Sequence, residues 1–348
     1  MKKKLALRIT GIVVAALLLL LLIAGLVAFF YMDGVLDKLN YDTAYTTVTP
    51  EVATSIDQEE WVPIPTDETT PTVDIGDIYF PDDLPDVDEQ GSHIVNIMIV
   101  GQDARPGEPP QRSDSMILMT FNKSTGEITL TSFLRDQYVQ IPGFGKTKLC
   151  HAYSYGGMPL LNETLYNHYG IEVDGNVTLN FEGFEEIIDM LGGVEIELTA
   201  KEAKALNDLV AGKWQLKEGK QILTGKQALR YSRLRHIDSD VQRTERQRKV
   251  ILSVVQAYKN CSLSEMTYIL EKTMPLITTN IPKERIYRYA FSLFPMFATS
   301  NIKSQSLPAA GTYQSGLIRV SEGYMASCQY NIDFAANRKY LEKIFEED

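Results

Sequence analysis

The sequence predicts an α/β layer fold: one domain of strands interleaved with helices, preceded by a single apolar helix. Three observations predict it. Residues 94–100, 115–121 and 127–133 are apolar runs of strand length. Beyond Tyr153 the apolar spacing lengthens to a helical period, and Gly192-Gly193 stops one such helix just before a further strand, Val194–Leu198. Strands that alternate with helices in this way pack as a sheet covered by helices, and no internal repeat interrupts the pattern.

The chain opens with Lys2, Lys3, Lys4 and Arg8 in residues 1–10, and then carries no charged residue at positions 11–32. At ~1.5 Å per residue this run crosses a hydrocarbon layer of ~30 Å, so residues 11–32 are expected to form a transmembrane helix. A cleavable signal peptide would have a shorter apolar region followed by small residues, whereas Phe29, Phe30, Tyr31 and Met32 close this one. Asp33 and Asp37 come next. The positive-inside rule then keeps residues 1–10 in the cytoplasm and puts the rest of the chain outside, as a single-pass protein of the cell membrane.

The net charge of −11 is unevenly spread. Residues 32–93 carry sixteen acidic and one basic side chain, whereas residues 94–348 carry twenty-nine of each. The acidic stretch, 33–92, is also rich in Pro and Thr, and such a composition buries too little apolar surface to offset chain entropy. It is expected to be a linker, extended by self-repulsion, that holds the domain away from anionic lipid heads. Its acids do not have the spacing of a calcium loop.

Residues 93–348 then form one domain. After the three strands, helices are expected at 159–169, 181–191, 200–210, 226–235, 241–258, 264–274 and Phe334–Phe345. Cys150, Cys261 and Cys328 are too dispersed for a zinc site or a disulfide framework. No G-x-S-x-G, H-E-x-x-H or P-loop string occurs, so the chemistry is sought among acids and arginines.

Three clusters qualify. Asp103 follows the first strand and Asp114 opens the second, with Arg105 and Arg112 in the loop between them. Ligands of open α/β sheets sit beyond the carboxyl ends of strands, and two carboxylates meeting there suit a hard cation such as Mg²⁺. The alternative is a turn capped by Asp103 and an ion pair between Asp114 and Arg112. Arg135-Asp136 follows the third strand, with Lys146, Lys148 and His151 beyond it; this reads either as a phosphate site or as an ordinary surface ion pair.

The densest cluster runs from Lys226 to Lys249. It sets eight basic residues, including Arg230, Arg233, Arg235, Arg243, Arg246 and Arg248, against Asp238, Asp240 and Glu245. On a helix over 241–258, Arg243, Arg246 and Gln247 share one face near the positive N-terminal end, where anions are favoured. A solvated helix face or a nucleic-acid patch would give the same run, and the external placement argues against nucleic acid. The stripe Phe181, Phe184, Ile187, Ile188 and Leu191 fits plain core or the wall of a lipid-tail pocket equally well.

Taken in order, these residues resemble the LytR-CpsA-Psr (LCP) family. The strings are Asn96 to Asp103, Arg112-Ser113-Asp114-Ser115-Met116, Ser132-Phe133-Leu134-Arg135-Asp136 and Lys148-Leu149-Cys150-His151-Ala152-Tyr153, followed by Phe181 to Val194, Leu223 to Leu229, Tyr231-Ser232-Arg233-Leu234-Arg235 and Asp240-x-x-Arg243-x-x-Arg246-Gln247. They span roughly residues 94–260. Leu134 stands where the family commonly has proline, and Cys150 where it usually has a small polar residue.

The resemblance implies an extracellular domain with a central mixed β-sheet flanked by helices. It also implies transfer of a glycopolymer from an undecaprenyl-pyrophosphate carrier to peptidoglycan, a phosphotransferase reaction with Mg²⁺ at the pyrophosphate. Carried over by position, Asp103 and Asp114 would hold Mg²⁺, while Arg135, Arg233, Arg235 and Arg243 would clamp the two phosphates. Asp240 would take the proton from the acceptor hydroxyl, and Arg112, Lys148, Arg246 and Gln247 would bind substrate. Partners would be the lipid-linked glycopolymer, peptidoglycan and, through the N-terminal helix, the membrane. Two other functions stay open for the same residues: a polyprenyl-pyrophosphate phosphatase, and a non-catalytic envelope regulator that binds lipid pyrophosphate.

Overall fold

The computed structural model describes residues 31–41, 93–102, 113–235, 237–300 and 302–346. Expectations for residues 1–30 and 42–92, and for Asp103 and Arg112, lie outside these. Among the described residues no helix is long and apolar enough to cross a membrane.

The elements follow in chain order: β1 (Asn40–Tyr41), β2 (Ile94–Gln102), β3 (Ser113–Asn122), β4 (Glu127–Phe133), β5 (Tyr138–Ile141), β6 (Gly145–Lys148), α1 (Leu149–Tyr169), β7 (Gly175–Asn180), α2 (Phe181–Met190), β8 (Val194–Leu198) and α3 (Ala200–Asp208). Then come β9 (Gly219–Leu223), α4 (Gly225–Ser232), α5 (Asp240–Lys259), α6 (Leu263–Thr273), β10 (Ile277–Thr279), α7 (Lys283–Thr299), β11 (Ile302–Leu307), β12 (Gln314–Arg319), β13 (Met325–Tyr330) and α8 (Phe334–Phe345).

Seven strands form the central sheet in the order β1-β10-β7-β2-β3-β4-β11, and three hairpins, β5-β6, β8-β9 and β12-β13, stand apart from it. The sheet is mixed: β2 runs parallel to β7 and β4 parallel to β11, while β3 is antiparallel to both β2 and β4. Consequently β2, β4, β7 and β11 all end at the same edge.

Both faces of the sheet are covered, which is why its strands read as unbroken apolar runs. Met98, Val100, Met116 and Leu118 pack with α1 and α8 residues such as Leu161, Leu165 and Leu341. Their neighbours Ile97, Ile117, Met119 and Phe121 point the other way, onto Leu293 and Met296 of α7. A smaller core joins α2, α3, α4 and the β8-β9 hairpin through Ile188, Leu206, Leu223 and Tyr231.

Local chemistry sets the helix ends. Thr199 with Glu202, Thr224 with Gln227 and Ser262 with Glu265 form reciprocal capping boxes at the starts of α3, α4 and α6, satisfying N–H groups that lack helical partners. Gly225 lets α4 touch α2, because a Cβ there would fall 2.1 Å from the Glu185 carbonyl oxygen. In α1 the helix breaks at Gly156-Gly157, where Gly157 takes φ 61°, a conformation that suits glycine; Pro159 restarts it.

Three differences from the sequence reading stand out. The helix α7 was not expected, because Pro295 interrupts an aromatic-rich stretch that does not read as a clean amphipathic period. α1 begins ten residues before the expected 159, since its first half is apolar on all sides and buried in the core. Residues 33–41, expected as the start of the linker, are instead part of the folded domain: Val35, Leu36 and Leu39 are buried, and β1 adds a parallel strand beside β10. Their apolar spacing is too short to register beside the acidic composition that follows.

Candidate active site

The edge where β2, β4, β7 and β11 end gathers most of the candidate residues. Arg135 and Asp136 leave β4 through Leu134, whose N–H donates to the Leu307 carbonyl (2.9 Å) at the end of β11. Their own carbonyls accept from Cys150 N–H (3.1 Å) and Gln329 N–H (2.9 Å), so this turn is fixed from two sides. Arg135 Nε lies 3.4 Å and Lys148 Nζ 3.1 Å from the same Asp136 carboxyl oxygen. Both cations are buried, although Arg and Lys are almost never buried unless paired.

Asp240 opens α5, after the cap residue Ser239, whose hydroxyl accepts from Gln242 N–H. Arg243, one turn on and only 2 % exposed, pairs with Asp240 at 2.5 Å. Burial pushes the Asp240 carboxyl above its ordinary range; Arg243, Arg135 and Arg235 pull it down, and Asp136 pushes it up. Charges act strongly on a carboxyl only from several ångströms away, so Asp240 marks the meeting point of the Arg135-Asp136 turn, the Arg235 loop and α5. Its Oδ2 is buried without a hydrogen-bond partner among the described residues.

Arg233 caps α4, and its guanidinium stacks over the Phe181 ring at 4.3 Å from the centroid. Phe181 begins α2 directly after Asn180, which pairs with Gln102 at the end of β2. Arg233 is thereby held above the same sheet edge, while Arg235, two residues on, is exposed.

The strands also bear on the acid pair. A bulge falls where Gly101 pairs with Ser115 and Gln102 with Ser113, which leaves Asp114 as the extra residue of β3 at the end of β2. The side chains of Asp103, Arg112 and Asp114 lie outside what is described. Among the described residues no group of three or more His, Cys, Asp or Glu side chains could hold a metal ion.

Arg246, expected to bind substrate, is engaged within the protein. Its guanidinium takes both oxygens of Asp238 (2.7 and 2.8 Å) and the Leu234 carbonyl (2.6 Å), with Glu202 at 3.5 Å. Helical spacing put it on the Arg243 face, but the acceptors lie on the loop that carries Arg235, so Arg246 positions that loop. Gln247 is buried beside it.

Sequence reasoning missed a second polar cluster, next to the first. Glu322, on the turn between β12 and β13, accepts from His151 Nδ1 (2.8 Å), Thr147 Oγ1 (2.8 Å) and the Tyr155 hydroxyl. Burial pushes this carboxyl up, but the bonds from His151 and Tyr155 outweigh it and hold it at about 2. The signal available in the sequence was His151 inside an apolar helix start, which requires a buried partner. Ser306 was also missed: it accepts from Arg248 at 2.7 Å and fixes the middle of α5 to β11.

Known proteins resemble this chain in sequence and fold. The LytR_cpsA_psr family model matches residues 66–333. The polyisoprenyl-teichoic acid–peptidoglycan teichoic acid transferase TagT of Bacillus subtilis (strain 168) is 34% identical over 230 residues, which are 64% of this chain and 70% of TagT. The structure of TagT bound to LIIa-WTA aligns with a TM-score of 0.59 at 27% identity, over 74% of this chain and 91% of that one. The LytR-CPS2A-psr family protein YwtF (TagT) with bound octaprenyl pyrophosphate lipid aligns with a TM-score of 0.54 at 26% identity, over 73% and 91%. With its mixed sheet, its ordered motifs and a match that runs over most of its length, the chain belongs to the LytR-CpsA-Psr family.

Proposed function

We propose that the protein is a phosphotransferase that moves a glycopolymer from an undecaprenyl-pyrophosphate carrier to a hydroxyl of peptidoglycan, on the outer face of the cell membrane, to which residues 11–32 anchor it. The observation that carries this reading is the pair of half-buried Asp240 and buried Arg243, within electrostatic reach of Arg135, Asp136 and Arg235 at the carboxyl edge of the sheet. Support also comes from relatives named as teichoic acid transferases and from one that binds octaprenyl pyrophosphate.

The chemistry follows from charge. A pyrophosphate brings several negative charges into a site with little water, and guanidinium forks neutralise them in fixed geometry. The acceptor oxygen attacks the phosphorus next to the sugar; the new O–P bond forms as the P–O bond of the anhydride breaks, and polyprenyl monophosphate leaves. Asp240 receives the acceptor proton, and its raised proton affinity makes it a better base than an ordinary carboxylate. Arg135, Arg233, Arg235 and Arg243 hold the charge that builds up on the phosphoryl oxygens.

Asp103 and Asp114 are hard oxygen donors of the kind Mg²⁺ takes, and the bulge that sets Asp114 at the end of β2 is consistent with a pair there. Bound Mg²⁺ would neutralise charge on the pyrophosphate.

The test is full-length protein in proteoliposomes with lipid-linked donor, Mg²⁺ and a peptidoglycan oligomer. Labelled polymer on the oligomer is expected. Its absence while a known family member transfers alongside, or release of free monophosphate at the same rate with and without acceptor, would overturn the reading in favour of binding or hydrolysis.

A further inference from the structure

Residues 31–41 are docked on the domain, immediately after the apolar run. The helical turn 31–36 buries Val35 and Leu36. Lys283, at the start of α7, pairs with Asp33 (3.3 Å) and with Asp37, and the Tyr287 hydroxyl donates to Asp33 at 3.2 Å. Further along, Lys38 pairs with Glu271 of α6 (2.7 Å), Asn40 donates to the Pro275 carbonyl (2.6 Å), and Asn40 and Tyr41 pair with Thr278 and Thr279.

The topology gives this docking a consequence. The acidic stretch 42–92 begins at β1 and ends at β2, and both strands belong to one sheet, with only β10 and β7 between them. Through Thr279 and Val177, Tyr41 is level with Ile99, five residues from the start of β2; at ~4.8 Å per strand and ~3.3 Å per residue the two ends of the stretch are therefore roughly 22 Å apart. Whatever its length, it cannot space the domain from a membrane that the chain leaves before residue 33.

We propose that residues 31–41 clamp the edge formed by β1, α6 and the start of α7 against the lipid headgroups, with the acidic stretch as an insertion in the domain and not as its tether. This rests on the reading of residues 11–32 as a membrane span. Asp33 comes one residue after the apolar run, so at ~1.5 Å per residue Lys283 lies within on the order of 10 Å of the hydrocarbon boundary. Tyr31 and Tyr268 are exposed on this side of the molecule's chain entry and on α6, 44% and 56%, and amphipathic rings of this kind favour the headgroup layer. The cluster around Asp240 then stands about three to five strands from the clamped edge, roughly 15–25 Å of sheet, at a height set by packing.

The experiment measures distance without using transfer. The full chain, with C261S and a donor dye at E284C, is placed in nanodiscs with an acceptor on the lipid headgroup. Efficient energy transfer is expected; it should be unchanged when residues 55–80 are deleted, and should fall at least twofold when L36D and K283E together release the clamp. If the deletion shortens the distance, or if the released variant keeps its wild-type efficiency while melting normally, the clamp is overturned and the tether restored. A chain that fails to insert into the bilayer overturns the span and the clamp together. Loss of polymer transfer with an intact distance touches only the proposed reaction.

Discussion

Two carboxylates about the same sheet edge, each largely withdrawn from solvent, behave in opposite ways. Glu322 accepts from His151, Thr147 and Tyr155, and is held at about 2 despite burial. Asp240 has its Arg243 partner and a cationic surrounding, yet burial wins and its proton affinity rises. The difference lies in hydrogen bonding: a carboxylate supplied with several donors is stabilised as the anion, whereas one left with an unsatisfied oxygen keeps its capacity to take a proton. The first arrangement suits a structural tie between the β12-β13 hairpin and α1; the second suits a base.

The comparison is broken most sharply by Arg243→Ala and Asp240→Asn. Each should lower polymer transfer at least ~100-fold, the usual cost of removing one charge-stabilising group from a transition state, while the melting temperature moves by less than about 5 °C. A fall in melting temperature large enough to account for the lost activity would assign both residues to the fold instead. Glu322→Ala should do the reverse. Removing the carboxylate on which His151, Thr147 and Tyr155 converge should cost about 3 kcal/mol, lowering the melting temperature by roughly 6–12 °C in a domain of this size, with transfer at low temperature within about threefold of wild type.

Titration sharpens the contrast. The folded-state value of Glu322 lies below its ordinary 4.5, so its stabilising contribution is complete above about pH 4.5 and is lost as the pH falls toward about 2. Denaturant melts across that window should show a loss that Glu322→Gln flattens. For Asp240 the shift is upward, so the base form proposed to act in transfer is lost as the pH falls through a value above the usual carboxylate range. The acid limb of kcat/KM should sit there, and Asp240→Asn should leave any residual rate without it. The smallest effect is expected at Lys204, whose pair with Asp208 (2.6 Å) is exposed: Lys204→Ala should change stability by less than about 0.5 kcal/mol.

How much of this was legible in the sequence depended on how local the cause was. β4 and α8 fall at the positions their periodicity indicates, Glu127–Phe133 and Phe334–Phe345, because each is specified by its own apolar spacing. β10 and β1 are two or three residues long and exist only because tertiary packing brings them together, so no run of residues announces them. In the site, Arg135, Asp240 and Arg243 stood out because charge next to a strand end or a helix start is a local pattern. Arg246 shows where that reasoning stops: the helical period gave its face correctly, but not the Asp238 and Leu234 acceptors that claim its guanidinium. Glu322 could not be found at all by spacing, since its partner His151 is distant in sequence and meets it only after the β12-β13 hairpin folds back.

The pairing of Asn40 with Thr278 sets an order of events as the chain is made. β1 emerges first, yet its partner strand follows only after most of the domain has been synthesised, so the sheet acquires this edge near the end of assembly. Contacts this remote in sequence are slow to close, and until they do β7 and then β10 present open strand edges to neighbouring chains. A chaperone acting on the newly made protein would find its substrate there.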